Sequence, residues 1–420
     1  MESEMKRIVL ALSAAALILV PSAGSGNVLA ARPHAGTTIT VWEDFPNQAL
    51  PQMQALANKW ASANGDTVKF VSTSQPGMGA GSQSVTGLLQ LKAKNKDAAD
   101  LAYTTEDSVG TLVLSGIVAP RPKDLLSAAD MARYQTGAIN ATNVNGVAYS
   151  VPQVVDGLAL YYNKQFVQTP PATWPQLITM AKKLTKGNRY GFLFYITGGL
   201  YYTYWAFHAY GGYVFGSASG KPDPTNIGLA NAGSLQATTF LKSLAAIVPP
   251  TTDYAAADSN FAAGKAAMTI NGPWALAGYE KALGMNLGAA PIPTLPNGKT
   301  AQTFIGVRVW VVNNFSKNQA AAWDLAKYLS LNGQVISGTY EGRLPSFKTV
   351  PGWAPNAVQA AFSKAFSVGV PMPNIPAMSQ VWTPMNNAIN LAIQGHASPA
   401  TALNAALQQI KAGIAKQRAS

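Results

Sequence analysis

The chain has 420 residues, enough to bury a sizeable core and to divide into two domains. Charged residues make up 11% of it, and the shortage is in acids, with 18 Asp and Glu against 30 Lys and Arg. The resulting net charge of +12 is spread without basic runs or aromatic-interleaved stripes, which argues against a nucleic-acid partner, and zero cysteines exclude disulfides, thiolate metal sites, cysteine nucleophiles and a lipid-bearing cysteine at an export cleavage site.

In chain order, Lys6-Arg7 precede an apolar run from Ile8 to Val20, then Pro21 and small residues up to Val28-Leu29-Ala30. That order predicts a secretory signal peptide over 1–30, cut near Ala30 or Ala31. No later run is long and apolar enough to span a bilayer, so the mature chain is expected to be exported and soluble. Thr38 to Trp42 alternates like a strand, and Leu50 to Ala63 places Met53, Leu56, Ala57 and Trp60 on one helical face. A strand over Thr67 to Val71, a glycine-rich loop over Gly77 to Gly81, a helix near Val85 to Lys94, a strand over Asp100 to Tyr103 and a helix from Ser108 to Ser115 follow. Strands separated by helices predict a largely parallel sheet with crossovers.

Gly146 to Tyr149 and Leu158 to Tyr162 read as strands with Pro152 to Asp156 between them. A helix opens at Thr173, and Phe192 to Ile196 reads as a strand of a second lobe. Met268 and Ile270 alternate with Thr269, and Asn271-Gly272-Pro273 then forbids the strand to continue. Trp274 therefore stands at the boundary with a helix over Ala275 to Ala282, where it is either a core plug or a ring offered to a ligand. Leu287 to Ala290 is a strand running into Pro291 to Pro296, a stiff segment suited to crossing between lobes. Thr401 to Lys416 is an alanine-rich amphipathic helix.

Tests for chemistry give little. His34, His208 and His396 lie far apart without metal-ligand spacing, and no G-x-S-x-G occurs. Gly298-Lys299-Thr300 lacks the upstream glycine of a phosphate loop, where Pro293 stands, and Gly77-x-Gly79-x-Gly81 lacks the third dinucleotide glycine, where Ser82 stands. Glu106-Asp107 are paired acids at a strand end without a second acid at glycosidase separation. No catalytic residue, metal or cofactor is expected. What the chain offers instead is aromatics near loops and strand ends, namely Tyr201-Tyr202-x-Tyr204-Trp205, Trp274, Trp310 and Trp382. Sugars lay apolar C–H faces on such rings, and carboxylates such as Glu43, Asp44, Glu106, Asp107 and Asp156 accept from their hydroxyls. A core or capping role is the alternative for each acid.

Two stretches carry a resemblance. Ala267 to Trp274 (AMTINGPW) and Met372 to Trp382 (MPNIPAMSQVW) resemble the signatures of maltose/maltodextrin-binding proteins, the solute receptors of ABC sugar importers. Val151-Pro152 through Asp156-Gly157-Leu158 to Tyr161-Tyr162-Asn163-Lys164, Thr173-Trp174, Gly211 to Phe215 and Ile292-Pro293-Thr294 support it. The resemblance implies an α/β fold of two lobes, each a mainly parallel sheet flanked by helices, with a ligand cleft between them. The expected lobes are 37–154 plus 292–340 and 155–291 plus 341–416. It implies stacking by Trp274, Trp382 and Tyr201, hydroxyl binding by Asp107, and Asp156 where the family more often has a hinge-side glutamate. Glu43, Asp44, Glu106 and Asn386 complete the candidates, although Thr104 replaces an aromatic platform, Ser108 and Asn386 replace arginines, and Gly199 replaces an acid.

The resemblance implies a non-enzymatic, monomeric receptor that delivers malto-oligosaccharides to the transmembrane subunits of an ABC permease. It would work in the periplasm or at the outer face of the cytoplasmic membrane. Trehalose, another oligosaccharide or a polyol is the alternative ligand, and an extracellular glycan hydrolase is the alternative of another class. Scarce carboxylates also fit an acidic medium, because protonation removes native carboxylate interactions and a chain poor in them loses less. The melting temperature is accordingly expected to hold between about pH 6 and about pH 3, and a collapse over that range would contradict the acidic setting.

Overall fold

The largest sheet is built from strands whose two faces are both apolar. The computed structural model describes residues 36–73 and 84–419; the expected signal peptide and the Gly77–Gly81 loop lie outside the described residues. Among the described residues, seven strands share this sheet. Their spatial order is Leu344–Pro345, Val151–Asp156, Phe304–Val312, Leu101–Thr105, Thr38–Glu43 and Thr67–Ser72, with Val370–Pro371 beside one end of Phe304–Val312. Ile39, Val41, Leu101, Tyr103, Trp310 and Val312 pack on one face with Met53, Ala57 and Trp60 of the helix Leu50–Asn64 and Leu325 and Leu329 of Gln319–Asn332. Trp42, Ala102, Val307, Val309 and Val311 pack on the other with Val109 and Leu112 of Glu106–Leu114. Side chains two apart share a face, so the strand period divides one run between two cores.

The two-lobed α/β architecture holds, but the expected mainly parallel pairing is corrected. Thr38–Glu43 is parallel to both Thr67–Ser72 and Leu101–Thr105, as crossover helices require. Phe304–Val312 runs antiparallel between Leu101–Thr105 and Val151–Asp156. It enters from the second lobe and not from a crossover on the sheet, so the parallel-crossover rule does not govern its direction. In the second lobe Ala159–Asn163 lies between Met268–Asn271 and Leu287–Ala290 and is antiparallel to both.

Two strand expectations also change. Val151–Asp156 is a fully buried strand, hidden in the sequence because Pro152 reads as a breaker. Its partner shifts register between Arg308 and Val309, opposite the residue that has no N–H to give. Phe192–Ile196 is extended beside Met268 but forms no ladder; Leu193 N–H donates to Met268 O at 3.0 Å, and Ile196 N–H turns back onto Phe194 O at 2.7 Å.

The second core holds Leu160, Tyr161, Trp174, Trp205, Phe207, Phe261, Ile270, Met385, Ile389 and Ile410. Thr173 and Gln176 close a capping box on the helix Trp174–Leu184, and the Trp174 ring stacks on Trp205 at 4.8 Å. The tail helix spans Pro399–Ala419 and buries Leu403, Ile410 and Ile414. Among the described residues, no helix is long and apolar enough to cross a membrane.

Two strands pass directly from one core to the other. Val155 belongs to the first lobe's core and Leu158 to the second; on the return, Phe304 belongs to the second and Val307 to the first. Asp156 pairs with Gly306, and Leu158 N–H donates to the Thr303 hydroxyl at 3.2 Å, so the passages run side by side. A Cβ on Gly157 would lie 2.6 Å from Phe366 Cε1 and 3.0 Å from Phe304 O. Gly157→Ala is expected to cost about 1–3 kcal/mol by overpacking, read as a lower urea midpoint. An unchanged midpoint would mean that the Phe366 ring swings clear.

Candidate functional site

Trp274 owes its place to the turn before it. The strand Met268–Asn271 is buried along its length, and Pro273 starts a short 3-10 turn that directs the Trp274 ring back over Gly272. A methyl on Gly272 would overlap that ring, so only glycine permits this approach. Asn271 Oδ1 accepts from Gly272 N–H at 2.9 Å, and the Tyr161 hydroxyl donates to Gly272 O at 3.1 Å. Tyr254 stands near Trp274 and Asp258, and the Tyr279 hydroxyl donates to Asp258 Oδ1 at 2.8 Å. The ring is thus half-exposed and held, not plugged into the core.

Tyr201 and Trp382 lie on separate helices, Gly199–Ala209 and Trp382–Ile393. Asn386 joins those helices: its Oδ1 accepts from Leu200 N–H at 2.9 Å. Gly199, at φ +66°, leaves room for the Asn386 side chain, where any Cβ would overlap it. The replacements at 199 and 386 therefore work as a pair, and the Asn386 oxygen is committed inside its own lobe. Phe304 lies between the two stacking candidates, 6.4 Å from the Tyr201 ring and 6.2 Å from that of Trp382; Tyr201 is 6.3 Å from Trp274. Trp205 and Trp310 are wholly buried, and Tyr202 and Tyr204 nearly so; these aromatics serve the cores.

The acids divide by what they touch. Glu106 and Asp107 open a helix and do not end a strand. Asp107 stands near Thr105 of its own lobe and near Trp382 of the other. Asp156 ends its strand at the crossing and pairs with Arg343, while Asp44 pairs with Arg308. Glu43 is fully buried with both oxygens in use, Oε2 on Phe45 N–H at 2.5 Å and Oε1 on the Ser72 hydroxyl. Glu106 is also buried: Oε2 accepts from Val307 N–H at 2.6 Å and Oε1 has no partner among the described residues. Burial raises the Tyr201 hydroxyl well above its usual value, and Asp156, Glu106, Arg343 and Asp107 lie near enough for their charges to act on it as well. Asp44 stands further along, at Arg308.

Arg308, Arg343 and Glu341 escaped the sequence reading. Arg308 sits in an otherwise apolar strand, Phe304 to Val312, and a lone buried charge there needs a partner, which was the available signal. Burial alone would lower both arginines, yet Asp44 holds Arg308 and Asp156 holds Arg343 above the usual guanidinium value, so both stay charged. Burial pushes Glu106 well above the usual carboxyl range, and the neighbouring Asp107 adds to the effect. Burial likewise raises Asp107, and it raises Asp156 and Glu341 against the opposing pull of Arg343. A carboxyl with a folded value above its unfolded one favours the folded state at low pH, and that contribution is lost as pH rises through the folded value. These acids therefore resist acid unfolding. Among the described residues, no group of three or more His, Asp or Glu could hold a metal ion.

Two α/β lobes joined by paired crossing strands, with Trp274, Tyr201 and Trp382 on one lobe and Asp107 on the other, have the architecture of a two-lobed solute receptor. Residues 55–365 match the family model described as bacterial extracellular solute-binding protein. The galactooligosaccharide-binding protein of Bacillus subtilis is 31% identical over 331 residues, covering 75% of this chain and 77% of that protein. A maltooligosaccharide ABC transporter solute-binding lipoprotein of Streptococcus pneumoniae is 32% identical over 342 residues, covering 78% and 79%. The solved structure of the Thermus thermophilus maltotriose binding protein bound with maltotriose superposes with a TM-score of 0.81 at 34% identity, covering 90% of this chain and 100% of that one. The chain belongs to the bacterial extracellular solute-binding proteins.

Proposed function

We propose that this receptor binds malto-oligosaccharides without cleaving them and delivers them to the transmembrane subunits of an ABC permease. The observation that carries the reading is the convergence of Trp274, Tyr201 and Trp382 on one cleft, with Asp107 and Asp156 beside them. Three half-exposed rings offer faces to successive glucose units, and the two carboxylates accept from hydroxyls. Relatives that bind maltooligosaccharide and maltotriose support the substrate class. Glu43 and Asn386 position their neighbours in this scheme, Glu106 lies under the floor, and Asp44 acts through Arg308.

Core membership supports lobes that change near Gly157, between Phe304 and Val307, and between Val350 and Val358, with Ile292, Leu295 and Ala301 packed on the second-lobe side. Closure follows because only the closed state offers both walls to the ligand. One chain supplies both walls, which supports a monomer. Export across the cytoplasmic membrane follows from the amino-terminal pattern, and the raised carboxyl values support an acidic medium. A second reading keeps the scaffold and changes the sugar. The galactooligosaccharide-binding relative favours it, as do Thr104, Ser108 and Gly199 in place of larger family residues.

Calorimetric titration with maltose through maltoheptaose, trehalose and galactooligosaccharides separates the two readings. Trp274→Ala is expected to weaken malto-oligosaccharide binding by roughly 2 kcal/mol or more with the thermal midpoint retained. Unchanged affinity removes Trp274 from the site, and reducing ends released during long incubation would refute the non-enzymatic reading.

A further inference from the structure

Arg343 is buried and makes three contacts of different kinds. Its Nη1 donates to Asp156 Oδ2, its Nε lies 3.5 Å from Glu341 Oε2, and its guanidinium carbon stands 5.7 Å from the centre of the Trp274 ring. Glu341 also accepts from the Ser337 hydroxyl at 2.7 Å and from the Tyr103 hydroxyl at 3.2 Å. The Tyr103 ring in turn carries the Arg308 guanidinium 4.4 Å from its centre, and Arg308 pairs with Asp44. A continuous series of charged and aromatic groups therefore runs from Asp44 through Arg308, Tyr103, Glu341 and Arg343 to Trp274, with Asp156 branching off beside the Gly157 crossing.

We propose that Arg343 is the positioning residue of Trp274, fixing the tilt of the stacking ring and tying that tilt to the crossing strand through Asp156. The inference rests on the sugar-receptor reading and names a residue that sets the geometry of its site. Gly272 lies against one face of the indole and Tyr254 stands near it, which leaves the ring free to rock. A guanidinium on the ring removes the rocking. Arginine suits the place because its planar fork can pair with a carboxylate and lie against an aromatic ring at once, whereas a lysine ammonium pairs as a point charge. Stability alone does not explain it, since buried ion pairs often stabilise no more than well-packed apolar side chains. The same contacts connect ring and hinge: tilting Trp274 moves Arg343, and Arg343 is bound to the last residue before the chain changes lobes.

The test is a double-mutant cycle on the full chain, with maltotriose titrated into the wild type, R343M, R343K, W274A and R343M/W274A, and the thermal midpoint of each recorded. R343M is expected to bind about tenfold more weakly, and R343K to recover only part of the loss. The double variant is expected to bind no more weakly than W274A alone, because a residue acting through Trp274 has nothing left to position. Losses that multiply in the double variant, or wild-type affinity in R343M, overturn the proposal. In ligand-free protein carrying fluorotryptophan, R343M should shift or broaden the fluorine resonance of Trp274, assigned with W274F, and leave that of Trp382 in place. A Trp274 resonance unmoved in both R343M and R343K overturns the proposal even if no sugar binds, while silence of the wild type toward every saccharide refutes the receptor reading separately.

Discussion

The antiparallel pairing of Val151–Asp156 with Phe304–Val312 is the constraint on which the cleft depends. Both strands leave one core and enter the other, and they do so in register, with Asp156 opposite Gly306. Two adjacent hydrogen-bonded passages resist shear but bend together, which is how a hinge can move two rigid lobes without tearing either sheet. Glycine stands in both passages, Gly157 against the Phe366 ring and Gly306 beside the Glu106 carboxyl. Glu106 extends this logic by one residue: the strand Leu101–Thr105 ends where the helix begins, and the Glu106 side chain takes the next N–H, that of Val307.

Around that axis the three half-exposed rings are held by two devices. Trp274 rests on Gly272, the helices of Tyr201 and Trp382 are joined through Asn386 and Gly199, and Trp382 also stands near Asp107 in the opposite lobe. Rigid aromatic faces lose little conformational freedom when a ligand arrives, so more of the contact energy remains for binding. The charged floor has a different character. Two guanidiniums and two carboxylates, Asp156 and Glu341, are buried together with the half-buried Asp44 beside Arg308, and each buried charge is costly unless its partners stay in place. An apolar ligand placed against these groups would leave buried polar atoms unmatched.

Much of this was legible in the residues, and the failures have physical causes. Helices with caps and one apolar face, such as Leu50–Asn64 and the Thr173-capped Trp174–Leu184, declared themselves through periodicity and capping chemistry. The strand-turn-tryptophan unit at Met268 to Trp274 did so through its alternation and its Asn-Gly-Pro stop. Strand direction was not legible, because nothing local in Phe304 to Val312 reveals that it arrives from another lobe. The strand Val151–Asp156 was hidden by a proline tolerated opposite a register shift. Among site residues, exposure and partners were invisible: Glu43 and Asp156 look alike as acids at strand ends, yet one is consumed by Ser72 and Phe45 and the other is paired with Arg343 at the crossing. Trp310 and Trp274 likewise differ only in where their backbones lead.

The central claim is that the two lobes close by bending at the paired crossing strands when a glycan lies between the rings of the second lobe and the facing wall of the first. Small-angle X-ray scattering of the full chain, with and without saturating maltotriose, tests it most directly. The account requires a smaller radius of gyration with the sugar present. Heat of binding on mixing, with a radius that does not change, would contradict it.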